Sequence, residues 1–307
     1  MSNYVIETND LTKQYEDQIS VNHLNIHVPQ GKIYALLGRN GAGKTTTMKM
    51  ILNLVKPTSG TITLFGDDYK TNQLKTYRRI GAIIETPSFY ENLTGSENLE
   101  ILARLRGRHR EDSVTHALEI VGLDKETKKT FGKYSMGMKQ RLGIAAAIMH
   151  EPEVLILDEP INGLDPIGIH EIRNYLLKLC KEKGTTVLIS SHVLSEIEQI
   201  ADIIGVMHQG YLLEETDIGE LHKRNRRYAE YEVSDVNKAT LVLERQFQIT
   251  DYTIVDNRFI RLFSEIDKCA EINSSFTQND ISVTRLNIKE EKLEDYFSNL
   301  IGGGKIG

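Results

Sequence analysis

Gly38-Arg39-Asn40-Gly41-Ala42-Gly43-Lys44-Thr45 decides the architecture of this 307-residue chain. Just before it, Ile33 to Leu37 is a continuous apolar run, as expected of a strand buried on both faces. Just after it, Lys44 to about Leu54 reads as a helix, ended by Pro57-Thr58-Ser59-Gly60. A loop of the form G-x-x-x-x-G-K-[ST] between a strand and a helix is a phosphate cradle. Its glycines let successive backbone N–H groups face one anion. The helix N-terminus adds the positive end of its dipole. On this reading Gly38, Asn40, Gly41, Ala42, Gly43, Lys44, Thr45 and Thr46 form the binding loop. Lys44 reaches the β- and γ-phosphates, and the Thr45 hydroxyl ligates Mg²⁺.

Working outward, Val154-Leu155-Ile156-Leu157-Asp158-Glu159 is an apolar strand ending in two carboxylates. Strand tips are where α/β sheets place ligands. Asp158 suits Mg²⁺, and Glu159 suits a general base for water attacking a γ-phosphate. Thr186 to Ile189 is another buried strand, and Ile167 to Lys183 and Met136 to Met149 read as helices. Residues 96–122 are helix-rich, and residues 4–28 read as two strands. The alternation implies parallel pairing and an α/β core.

Composition narrows the functional classes. With 43 acidic and 37 basic residues the net charge is -6, which argues against a dedicated nucleic-acid binder. Two cysteines, Cys180 and Cys269, make neither a disulfide framework nor a four-ligand zinc site. The first residues carry no signal-peptide pattern. No apolar run approaches the ~18 residues a membrane helix needs.

Tyr134-Ser135-Met136-Gly137-Met138-Lys139-Gln140-Arg141 begins the helix that precedes the acidic strand. Here the sequence resembles the ATP-binding subunits of ABC transporters. The family's L-S-G-G-Q signature becomes Y-S-M-G-M, retaining Ser135 and Gly137. The resemblance covers residues 4–215, and the other family motifs follow in order. It makes Tyr15 the aromatic that stacks on adenine, and Ile161-Asn162-Gly163-Leu164-Asp165 the D-loop. It makes His192 the switch histidine that senses γ-phosphate. The catalytic set is then Lys44, Glu159 and His192, with ATP and Mg²⁺ as cofactors.

Two departures stand out. Met136 and Met138 replace common signature residues, although a serine and backbone N–H groups suffice for a phosphate contact. In Ile83-Ile84-Glu85-Thr86-Pro87, Glu85 stands where most members have Gln. A carboxylate holds Mg²⁺ more tightly, yet it repels phosphate and donates no hydrogen bond when ionised. Glu85, with Thr45 and Asp158, completes the expected metal set. Glu here, with Pro87, Ser88, Phe89, Tyr90 and Leu93, resembles the lantibiotic-immunity and bacitracin-resistance branch of ABC exporters. Leu286-Asn287-Ile288 and Leu293-Glu294-Asp295-Tyr296-Phe297 resemble the closing strand and helix of drug-exporter ATPases.

Near residue 222 the α/β pattern breaks. Residues 1–221 form the expected ATPase domain with its helical subdomain, 222–227 a polar linker, and 228–307 a small accessory domain. The accessory domain reads as strand 228–234, helix 236–246, strands 251–256 and 258–263, helix 265–276, strand 281–288 and helix 290–301. That β-α-β-β-α-β order suggests a ferredoxin-like α+β sandwich.

In the family, two ATPase subunits sandwich two ATP molecules, each site joining the phosphate loop of one to the Ser135 region of the other. This chain carries one set of motifs, so the resemblance implies a homodimer. It also implies a separate transmembrane permease, docked near Glu85 to Asn98. The expected location is cytoplasmic, peripheral on the inner face of the membrane. The competing class is a soluble ABC ATPase acting in translation or regulation. Translation members carry two modules in one chain, and DNA-repair members insert long coiled coils that the Lys44 to Ser135 interval has no room for. A GTPase would need an N-K-x-D motif, which is missing.

Overall fold

The computed structural model describes residues 4–85, 87–107, 112–224, 227–290, 296–297 and 300. The chain divides into two compact units between Ile218 and Gly219.

The first unit opens with β1 (Tyr4–Tyr15), β2 (Gln18–Leu24), β3 (His27–Pro29) and β4 (Ile33–Leu37), then α1 (Lys44–Ile51), β5 (Ser59–Leu64) and β6 (Asp67–Asp68). Next come α2 (Gln73–Tyr77), β7 (Ile80–Ile83), α3 (Gly95–Leu105), α4 (Ser113–Ile120), α5 (Met136–Ile148) and β8 (Val154–Asp158). The unit continues through α6 (Pro166–Lys183), β9 (Thr186–Ser191), α7 (Leu194–Ile197), β10 (Ile203–His208) and β11 (Tyr211–Asp217). Helix α8 (Ile218–Arg224) starts at the division.

Residues 4–28 make three strands rather than the expected two. Asn25 is the reason. Its side chain accepts from the Asp10 N–H at 2.8 Å and donates to His23 O at 3.1 Å, which ends β2 and lets β3 pair separately with β1. Helices α3 and α4 fill the segment read as helix-rich. Thr94 and Glu97 form a reciprocal capping box at the start of α3.

Two sheets result. One is antiparallel, ordered β2-β1-β5-β6, with β3 on β1. The other is ordered β11-β10-β4-β9-β8-β7, and its five strands from β10 to β7 are parallel. Strands β4, β8 and β9 are buried along their whole length, as their unbroken apolar runs demand. Tyr34 and Leu36 join Met48, Met50 and Ile51 of α1 and residues of the antiparallel sheet in one core. Helix α1 is thus held by apolar packing, with its N-terminus at the tip of β4.

The second unit contains β12 (Arg227–Val233), α9 (Val236–Phe247), β13 (Tyr252–Ile254), β14 (Phe259–Leu262), α10 (Cys269–Gln278) and β15 (Val283–Glu290). The sheet is antiparallel throughout, ordered β13-β14-β12-β15. Ala229, Tyr231 and Val233 face the core with Leu243 and Phe276 of the two helices. Tyr231 and Phe276 meet edge to face at 5.5 Å. The alternate β12 residue Glu230 pairs with Arg261 at 3.1 Å and Lys289 at 2.5 Å. Helix α10 starts later than the expected residue 265, because Glu265 has φ +55° and a 3₁₀ turn, Ile266–Lys268, intervenes. Of the expected linker, residues 222–224 lie in α8, Arg227 opens β12, and residues 225 and 226 lie outside the described residues. Of the closing helix, Tyr296, Phe297 and Leu300 are helical, and Leu293 to Asp295 lie outside the described residues.

Candidate active site

The sheet order brings four motifs to one edge. The phosphate loop follows β4, His192 follows β9, Asp158 and Glu159 end and follow β8, and Glu85 follows β7. These are four consecutive neighbours in a parallel sheet, so their C-terminal tips lie side by side.

The loop is built for close backbone approach. A Cβ on Gly38 would lie 2.5 Å from Met207 O, and one on Gly43 would lie 2.5 Å from Ser20 O, with Gly43 at φ +106°. Only glycine fits both places. Gly38 N–H donates to Ser191 O, Ala42 N–H to Arg39 O, and Gly210 N–H to Ala42 O, which anchors the loop to β9 and to the β10–β11 turn. Asn40 and Gly41 are exposed, and Thr46 is half-buried in α1. Lys44 is 4% exposed, and its ammonium donates to Gly38 O at 2.5 Å and Arg39 O at 3.3 Å.

Two acidic partners meet this loop. Thr45 Oγ1 donates to Asp158 Oδ2 at 2.8 Å, so the two oxygens expected on Mg²⁺ already face each other. Glu159, at φ +48°, lies with Oε1 3.3 Å from Lys44 Nζ and Oε2 2.9 Å from His192 Nδ1. The buried Glu159 Oε1 has no hydrogen-bond partner. A buried carboxylate oxygen that faces a lysine as an ion pair but accepts no hydrogen bond, next to a threonine–aspartate oxygen pair, fits a phosphate, its metal and a water. Among the described residues, no three His, Cys, Asp or Glu side chains cluster as a metal site. Mg²⁺ takes one or two protein oxygens and completes its shell with phosphate and water.

Several contributors escaped the sequence reading. Ser190 Oγ donates to Asp158 Oδ1 at 2.6 Å and accepts from the Glu159 N–H at 2.9 Å, fixing both carboxylates from β9. Gln140 Nε2 donates to Glu159 O at 3.4 Å, tying α5 to the same turn. Glu196, in α7, has its carboxyl held above the ordinary value chiefly by burial. His192 and Arg173 oppose that shift, and Glu159 adds to it. The signal for Ser190 is its place two residues before His192. Nothing local singles out Gln140 or Glu196.

The remaining expected residues make other contacts. Tyr15 ends β1 at the hairpin tip, is exposed, and carries the Lys13 ammonium 4.7 Å above its ring. Ser135 caps α5 by accepting from the Met138 N–H at 3.3 Å. A Cβ on Gly137 would lie 3.2 Å from Gly163 O, so the signature packs on the D-loop. Asp165 caps α6 through the Gly168 N–H and pairs with Arg141 at 3.1 Å. Glu85, at φ +61°, pairs with Lys49 of α1 at 2.5 Å. A cavity of about 960 Å³ in the first unit lies at the opposite edge of the sheet, lined by Arg79, Glu153 and Thr186 among others.

Comparison with known proteins gives the same picture. The ABC transporter family model matches residues 21–162. The bacitracin transport ATP-binding protein BcrA of Enterococcus faecalis is 63% identical over 303 residues, covering 99% of this chain and 98% of that protein. The lantibiotic transport ATP-binding protein SrtF of Streptococcus pyogenes is 42% identical over 213 residues, covering 69% of this chain and 91% of that protein. A solved ATP-binding subunit of an ABC transporter is 31% identical, with a TM-score of 0.65, covering 72% of this chain and 92% of the other. The glycine-rich loop, the acidic strand tip and His192 on adjacent strands, together with 63% identity to a transport ATP-binding protein over 99% of the chain, place this chain in the ABC transporter family, as a subunit that binds ATP with Mg²⁺ and hydrolyses it.

Proposed function

We propose that the chain powers export of a peptide antibiotic of the bacitracin type through a separate membrane permease, conferring resistance. The observation that carries this reading is the extent of the likeness to BcrA. That match runs through both units, whereas the match to the lantibiotic protein covers only 69% of the chain. Glu85 at the tip of β7 supports the same branch. A soluble role in translation or regulation leaves both observations unexplained.

In this reading Lys44 and the loop N–H groups hold the phosphates, and Thr45 and Asp158 hold the metal. Mg²⁺, when bound, neutralises phosphate charge and orients the γ-phosphate. Glu159 takes the proton of the attacking water. His192 fixes Glu159 through Nδ1–H and offers its other nitrogen to the phosphate side. Tyr15 stacks on adenine. Ser135, Gly137 and Asp165 serve the site of a second, identical subunit. Glu85 adds a metal contact in the loaded state and lies where the permease docks. The permease holds the subunit at the inner face of the membrane, without nucleic acid as a partner. Residues from Arg227 onward form a ferredoxin-like accessory domain, preceded in the chain by α8 rather than by an extended linker over 222–227. The strand order β13-β14-β12-β15, second-third-first-fourth along the chain, supports that topology.

The test expresses the chain with its permease in a bacitracin-sensitive host. Wild type raises the tolerated bacitracin concentration and Lys44→Ala does not. Equal protection by both would sink the reading.

A further inference from the structure

Helix α1 presents two contacts on one face. Thr45 reaches the tip of β8 through Asp158, and Lys49, four residues on, reaches Glu85 just past the tip of β7. Residues four apart are neighbours on a helix, one turn or ~6 Å along the axis. The same helix therefore carries the phosphate loop at its start and grips the neighbouring strand tip one turn later. Glu85 adopts φ +61°, a conformation that non-glycine residues hold only when their surroundings enforce it. Among the described residues, Glu85 joins Asp158 and Glu159 as a carboxylate at or just past a strand tip on this edge. Left alone, it would add negative charge beside the phosphates.

We propose that Lys49 is a positioning residue for Glu85. It holds the carboxylate against α1 and compensates its charge, so that the loop binds MgATP despite an acid at this place. The inference rests on the nucleotide-site reading of Lys44 and Thr45 but not on the identity of the exported compound. Its consequence is conditional: Lys49 matters to nucleotide affinity only while residue 85 is charged.

A double-mutant cycle tests that condition. A fluorescent ATP analogue with Mg²⁺ is titrated into the full-length chain at low ionic strength, without permease. The side chain of Glu85 is 64% exposed, so screening limits the effect. Lys49→Met should weaken binding by roughly three- to fivefold, the upper part of the range of a solvent-screened pair. Lys49→Arg should stay near wild type. In a Glu85→Gln background, Lys49→Met should change affinity less than about twofold, and added salt should shrink the wild-type difference. An equal loss in both backgrounds would mean that Lys49 acts on the nucleotide or on α1 directly, and would overturn the proposal. So would no loss in either. Should Lys49→Met fail to fold, Lys49→Gln gives the same comparison. Lys44→Ala is the control: if it binds as tightly as wild type, the nucleotide-site reading itself has failed.

Discussion

Lys44 Nζ and Glu159 Oε1 lie 3.3 Å apart, joining the ends of two strands, β4 and β8, that are separated in the sheet by β9. His192, which follows β9, closes the gap through the other Glu159 oxygen. The lysine expected to bind phosphate, the expected base and the expected sensor thus form one connected chain of side chains.

The first prediction separates binding from chemistry along this chain. Lys44→Ala removes a charge-assisted phosphate contact and should cost roughly 2–3 kcal/mol of nucleotide binding. Glu159→Gln keeps the shape but cannot accept a proton, so turnover should fall by roughly 10²–10⁴-fold with binding retained. Nucleotide titration and phosphate release on the purified chain measure both. Normal turnover by Glu159→Gln would remove Glu159 as base.

His192→Ala should lower the maximal rate by about 10²-fold while changing nucleotide affinity little, because a side chain that holds the expected base in place acts mainly on the transition state. Steady-state kinetics and a melting curve decide it. An unchanged rate in a folded variant would make the histidine structural.

Glu196 gives a pH dependence. Burial, the largest cause, raises its carboxyl above the ordinary value, with Glu159 adding to the shift. A group whose folded value is raised contributes stability below its unfolded value and loses it as pH rises through the folded one. Glu196→Gln mimics the neutral form. Its Tm should therefore match wild type at pH 5 more closely than at pH 8, where the variant should be the more stable. A constant difference across that range would show that the carboxyl's charge is irrelevant there.

The sequence made the strand tips legible for a physical reason. A phosphate loop, an acidic strand end and a histidine after a strand need short, fixed local patterns, and Lys44, Asp158, Glu159 and His192 lie where those patterns placed them. The second unit's strands were readable because residues such as Ala229, Tyr231 and Val233 alternate inward. Side-chain meetings across long separations were not readable. Lys49 and Glu85 are 36 residues apart and Asp158 and Ser190 are 32 apart, and only the sheet order joins them. Ser59–Leu64 also escaped, since only Ile62 and Leu64 of that strand are apolar and buried.

Removal of the second unit tests the domain reading. Every expected nucleotide residue lies before position 193, and the chain divides after Ile218. A chain ending at Ile218 should bind ATP within a few-fold of the full-length protein, with any change falling on dimerisation, permease coupling or stability. A folded truncation that binds no nucleotide would move the boundary.

Glu85→Gln tests coupling. The substitution restores the residue common in the wider family and removes the charge that Lys49 now holds at 2.5 Å. If Glu85 serves only the metal, the change should alter Mg²⁺ dependence and turnover alike with and without permease. If it also carries the permease contact, bacitracin protection should fall more than the ATPase activity of the isolated subunit. The second outcome is expected, because Glu85 follows a strand tip at the phosphate edge and precedes the segment assigned to docking. The measurement is ATPase rate with and without permease in vesicles, beside bacitracin tolerance in cells. Equal rates in both settings and equal tolerance would leave Glu85 a neutral variant and take away one of the two supports for the antibiotic-export reading.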